Sequence, residues 1–184
     1  MSESGLGMTY RHSMGLTFAH PANWAVQKTQ FGLILTPPKP MVINGNDAES
    51  YLIMSEAAPG IKSPDDPRLA GYLDDLISTQ MPSLVRTGQV ESAKCGQSTG
   101  LIYHWQSPPD AAVDVIAQAY LCVSGESAVA LLAIGPAESI LARQEMLREI
   151  FSSFGRCEPE TEPNPMGVWE HDDHYRTGEY ASSW

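Results

Sequence analysis

The sequence predicts an α+β fold, an antiparallel β-sheet with helices packed against it, and three observations carry that prediction. Residues 113–123 alternate at period two, with Val113, Val115, Ala117, Ala119, Leu121 and Val123 on one face and Asp114, Ile116, Gln118, Tyr120 and Cys122 on the other. Residues 128–134 are apolar on both faces, the mark of a central strand covered from two sides. Hairpin-length connections dominate and no alternating strand–helix repeat runs along the chain, which argues against a doubly wound fold.

In chain order, residues 8–12 and 15–20 read as short strands, and Pro21-Ala22-Asn23 turns the chain into Trp24. Residues 24–29 and 31–36 read as a hairpin that ends at Pro37-Pro38-Lys39-Pro40, where amide donors are missing. Residues 41–48 read as loop, 49–57 as a strand, and 58–67, with Pro59, Gly60, Pro64 and Pro67, as a second loop. Asp66 is placed to cap a helix whose first residue is Pro67, and Leu69, Tyr72, Leu73, Leu76, Ile77 and Met81 keep its apolar stripe until Pro82. Strands at 84–94 and 100–107 follow, joined through Gly96-Gln97-Ser98-Thr99-Gly100. Gly125-Glu126 then suits a two-residue turn with glycine first, because that position needs positive φ. Pro136 opens a helix with Ile140, Gln144, Leu147, Ile150, Phe151 and Phe154 on one stripe, and Gly155 stops it. Phe151 and Phe154 at that spacing read as core.

The chain of 184 residues is long enough for one ordinary domain with its own core. Cys95, Cys122 and Cys157 are odd in number and lack CxxC spacing, so neither a zinc site nor a disulfide framework is indicated and a reducing, cytoplasmic setting is expected. The first residues show no basic and apolar leader pattern, and no apolar run approaches a membrane span. With 22 acidic against 11 basic side chains, the net charge of −11 argues against a nucleic-acid partner.

The segment Gly15-Leu16-Thr17-Phe18-Ala19-His20-Pro21-Ala22-Asn23-Trp24 carries a resemblance, together with the 31–38 strand, the 67–81 helix and the closing hairpin. There Gly135-Pro136 leads into a helix that ends Ile150-Phe151-Ser152-Ser153-Phe154. Over residues 8–154 the chain resembles the PsbP-like superfamily, which includes the extrinsic photosystem subunit, the Ran-binding nuclear import factor, and bacterial DcrB-like proteins and secretion-effector chaperones. The resemblance implies an α/β sandwich around an antiparallel sheet, used for binding proteins and without catalysis. It transfers no functional residue.

The domain reading is therefore a PsbP-like unit at 1–154, an acidic, proline-punctuated linker at 155–166, and an aromatic tail at 167–184. Residues 155–184 hold seven acidic and two basic side chains. The tail carries Trp169, Tyr175, Tyr180 and Trp184, dense for a disordered segment, and resembles the severed first strand of a small β-barrel. A homodimer through this tail is one expectation.

Candidate chemistry is sparse. Gly96-Gln97-Ser98-Thr99-Gly100 matches G-x-S-x-G, but a nucleophile elbow needs a helix after it and a strand follows here, so a turn is the reading. His171, Asp172 and His174 offer imidazole and carboxylate donors for a divalent metal, the alternative function. His104 reads as an ordinary half-buried side chain. The leading reading is a non-catalytic protein-interaction or accessory, chaperone-like module with no cofactor. Its partner surface is expected on a half-covered sheet face at Ile116, Tyr120 and Cys122, or on Trp169, Tyr175, Tyr180 and Trp184.

Overall fold

A computed structural model of the chain describes residues 6, 8–11, 16–30, 32–125 and 127–156. The core is a seven-stranded antiparallel sheet in the order β3 (Ala25–Lys28), β4 (Leu33–Thr36), β7 (Ser50–Ala57), β11 (Ser127–Pro136), β10 (Val115–Ser124), β9 (Ser98–Gln106), β8 (Val85–Cys95). The strand that is apolar on both faces, β11, occupies the middle, as its patterning predicts. A smaller sheet joins β1 (Met8–Arg11), β2 (Leu16–His20) and β12 (Gly155–Arg156), and β5 (Val42–Ile43) pairs with β6 (Asn46–Asp47). That last hairpin lies inside 41–48, which the sequence presents as loop; its turn places Asn44 and Gly45 at positive φ, 54° and 81°.

Helix α1 (Pro67–Gln80) begins as expected, with the Asp66 carboxylate accepting from the Arg68 amide at 2.9 Å and Pro67 in the first turn. The second helical region is two helices, α2 (Ala137–Ala142) and α3 (Gln144–Ser152). The break falls at Arg143, where the backbone sits at φ −101° and ψ 4° and the side chain donates to the carboxylate of Glu49. The stripe read as continuous in sequence is kept across the break, with Ile140, Leu147, Ile150, Phe151 and Phe154 in one core cluster.

The period-two alternation of β10 and β11 divides the core into two clusters on opposite faces of the large sheet. On one face Tyr120, Leu131, Ile102, Tyr51 and Ile53 pack with Ile140, Leu147, Ile150, Phe151 and Phe154. On the other, Ala117, Ala119, Leu121, Ala128, Ala130 and Leu132 meet Leu69, Ala70, Leu73 and Ile77 of α1. The Ser124–Ser127 pair closes the β10–β11 hairpin around Gly125, at φ 62°. Positive φ at the first turn position is what glycine supplies there. No described helix is long and apolar enough to cross a membrane.

Candidate functional site

The α1 face carries an apolar cleft built by strand register. Glu56 and Met54 of β7 stand opposite Ala128 and Ala130 of β11, and Ala130 stands opposite Leu121 of β10. Two alanines directly opposed to longer side chains leave the floor low. Leu69, Tyr72 and Leu73, spaced to share one side of α1, form the roof, and Ala58, Pro59 and Ile61 close one end. The resulting cleft holds about 260 Å³.

Its mouth is polar and unevenly charged. Tyr72, 43% exposed, donates its hydroxyl to Glu56 Oε2 at 3.0 Å. Arg68 is already committed: Nε and Nη2 donate to both oxygens of Asp66 at 3.0 and 2.8 Å, and Nη2 also reaches the Gly60 carbonyl at 3.4 Å. The Arg68 guanidinium and amide hold the Asp66 carboxyl down at about 2. Among the described residues no lysine or arginine lies within ion-pair distance of Glu56. The uncompensated charge at the mouth is therefore negative.

The opposite face is closed. Tyr120 is fully buried, its ring tilted against Phe151 with centroids 5.5 Å apart, and it donates to Gln118 Oε1 at 2.8 Å. Burial holds its phenol above the ordinary range. Cys122 is buried beside it and Ile116 is partly buried against the same cluster. The expectation of a half-covered face at Ile116, Tyr120 and Cys122 is thereby corrected: α3 lies on it, so the polar side chains that gave β10 its mixed appearance bond one another. Gln118 Nε2 donates to Gln144 Oε1 at 3.2 Å, which also explains the one polar residue in the α3 stripe. Nearby, Glu91 holds Arg148 Nη2 at 2.6 Å and lies 2.8 Å from His104 Nε2.

A second buried polar group ties the same face together. Glu49, with 1% of its side chain exposed, accepts from Arg143 Nε at 2.7 Å, Arg143 Nη2 at 3.1 Å, the Met41 amide at 2.6 Å and the Tyr51 hydroxyl at 2.5 Å. Burial alone raises its pKa, but these donors outweigh that and hold it below the usual value. Arg143 also lies over the Trp24 ring, 5.7 Å from its centroid.

Ser98 opens strand β9 directly after the tight Gly96-Gln97 turn, so the G-x-S-x-G match is part of a strand–turn–strand unit. Gly96 is required there: φ is 59°, and a Cβ would lie 2.4 Å from the Phe154 carbonyl oxygen. The remaining candidates, Trp169, Tyr175, Tyr180 and Trp184 for partners and His171, Asp172 and His174 for metal, lie outside the described residues. Sequence reasoning missed the α1 cleft. Its signal was present in the alternating alanines 117, 119, 128 and 130, small side chains on the strand face that meets α1.

No family model matches the chain and no curated protein matches it. Solved structures do. Cyanobacterial PsbP from Synechocystis superposes with a TM-score of 0.54 at 9% identity, over 85% of this chain and 97% of that one. LpqN of Mycobacterium tuberculosis, described as involved in cell envelope biogenesis, superposes with a TM-score of 0.52 at 11% identity, over 78% and 83%. The Ran-binding protein Mog1p of Saccharomyces cerevisiae gives 0.48 at 13% identity, over 76% and 89%. By its strand order, its helix placement and the PsbP and LpqN superpositions, the chain has the PsbP-like α+β fold.

Proposed function

We propose that this chain is a non-catalytic binding module that receives an apolar side chain of a protein partner in the α1 cleft, with a lysine or arginine of the partner pairing with Glu56. The observation that carries this reading is an apolar cleft with one uncompensated carboxylate at its mouth. Its size selects the occupant. Drug-sized ligands and cofactors use pockets of roughly 300–1,000 Å³, whereas a dry cavity of about 150 Å³ already holds a benzene ring. A cleft of about 260 Å³ suits one large side chain, the usual form of an interface anchor. An accessory or chaperone-like role is part of this proposal and would use the same surface.

A photo-crosslinking residue in place of Tyr72 tests the reading in cells that express the full chain. Crosslinked peptides in which an apolar residue neighbours lysine or arginine, lost when Ala130→Phe fills the cleft of a folded variant, are the expected result. Crosslinks that persist with Ala130→Phe, or a co-purifying small molecule occupying the cleft by native mass spectrometry, would overturn it.

A further inference from the structure

A second cleft, of about 490 Å³, opens on the other face of the sheet, where the β8–β9 turn, the hairpin end of β10 and β11, and the end of α3 converge. Its walls include Lys94, Gln97, Ser98 and Ser124, and two of its residues are cysteines, Cys95 and Cys122. These are 27 residues apart in sequence and sit on β8 and β10, with β9 between them. The register sets them diagonally: Cys95 pairs with Ser98, and Leu121 pairs with Leu101, which puts Cys122 beside Gly100, two residues along β9 from Ser98. The two thiols are hydrogen-bonded to each other, and that bond, together with burial, holds Cys95 above the ordinary thiol range. Both are only 5–6% exposed, and neither is in a disulfide.

Strand spacing decides between two chemistries for such a pair. Neighbouring strands lie about 4.8 Å apart, so residues two strands apart have backbones about 9.6 Å apart in a flat sheet. A disulfide needs Cα atoms within about 7 Å, so direct bonding would require the strands to move. An ion between the sulfurs has no such requirement: metal–thiolate bonds of about 2.3 Å place two opposed sulfurs about 4.6 Å apart, close to thiols already in contact. Among the described residues no group of three or more His, Cys, Asp or Glu is placed to hold a metal, so the ligands these residues offer an ion are the two sulfurs. Zinc, calcium and magnesium need four or more ligands. Thiolates select soft ions, and cuprous copper accepts them.

We propose that Cys95 and Cys122 form a two-thiolate site for a soft monovalent cation of the cuprous type, reached through the cleft that Lys94 and Ser98 border. Binding is an exchange without redox change: one Cu⁺ displaces the two thiol protons, forming two Cu–S bonds and releasing 2 H⁺ to solvent. The resulting complex carries one negative charge, and Lys94 is among the residues that border the cleft. This site lies across the sheet from the α1 cleft, its Cys122 and Val129 being chain neighbours of Leu121, Ala128 and Ala130 there, and it does not depend on that cleft's reading.

The test is competition for Cu(I) against a chromophoric cuprous chelator under reducing, anaerobic conditions, using the full chain and its Cys157→Ala variant. One Cu(I) per chain is expected in both, with affinity at least 100-fold weaker in a folded Cys95→Ala/Cys122→Ala chain. Retention of affinity in the double variant, or its loss in Cys157→Ala alone, would overturn the assignment. Should the double variant fail to fold, copper X-ray absorption on the Cys157→Ala chain decides: a first shell of two sulfurs supports the site, and any other shell refutes it. Isolation of that chain with Cys95 and Cys122 joined as a disulfide would also refute it, since the strands would then permit direct bonding.

Discussion

The two faces of the seven-stranded sheet solve the same burial problem differently. On the α2–α3 face, aromatic and branched side chains fill the space, and every polar group named there is bonded: Glu49 to four donors, Glu91 to Arg148, Gln118 to Tyr120 and Gln144. On the α1 face, alanines line the strands and a single helix covers them, leaving a cleft. Tight packing fixes one arrangement, because interiors near crystal density have no tolerance for lost or added volume. Open packing leaves a surface that a second molecule can complete. The contrast is one of covering helices: beneath α3 the first face is packed shut and its cleft opens beside the β8–β9 turn, whereas the α1 cleft opens under the covering helix itself.

The largest effect should come from Phe151→Ala, which removes a ring packed against Tyr120 and Phe154 and costs about 3–5 kcal/mol by chemical denaturation. A loss no larger than that of a surface substitution would break the contrast. Next is Arg143→Met, expected to cost about 3 kcal/mol at neutral pH because it leaves the Glu49 carboxylate buried with its main partner gone. Its pH dependence has a definite sign. The folded pKa of Glu49 lies below its unfolded value, so the pair stabilises the fold fully above the ordinary glutamate value of about 4.3 and stops doing so as pH falls through the lower, folded value. The stability gap between wild type and Arg143→Met should therefore narrow through that acid window, and a gap that is constant with pH would exclude the ion pair as its cause.

Gly100→Ala sharpens the comparison at a single methyl group. A Cβ there would stand 2.6 Å from both the Leu121 carbonyl oxygen and the Phe151 ring, so about 1–3 kcal/mol of overpacking is expected in thermal or denaturant melts. The smallest effect belongs to the α1 face. Ala130→Leu enlarges a side chain into space that is empty, and its stability should stay within about 1 kcal/mol of wild type while partner binding is lost. Unfolding of Ala130→Leu would show that the cleft is packing space in disguise.

The pattern of residues accounts for much of this molecule. Period-two alternation marks β10, apolarity on both sides places β11 at the sheet centre, and Asp66-Pro67 starts α1, because these signals depend only on neighbours within a few residues. The PsbP-like resemblance rests on the same local patterning and agrees with the superpositions. Other features were not legible. Gln118, Tyr120 and Cys122 give β10 a polar-looking face, and nothing local tells whether water or a helix satisfies those groups. The β5–β6 hairpin is too short to stand out by periodicity, and Arg143 ends a helix that its neighbours would continue.

By itself, then, the sequence determined the element types, the α+β class and the hairpin that centres the sheet, since hydrophobic period, capping and turn chemistry are local. The tertiary structure decided which face α3 closes, where the cleft lies, and that Cys95 meets Cys122 across strand β9. Those outcomes join residues from strands and helices far apart in the chain. They depend on register and layer stacking, which no short window of sequence encodes.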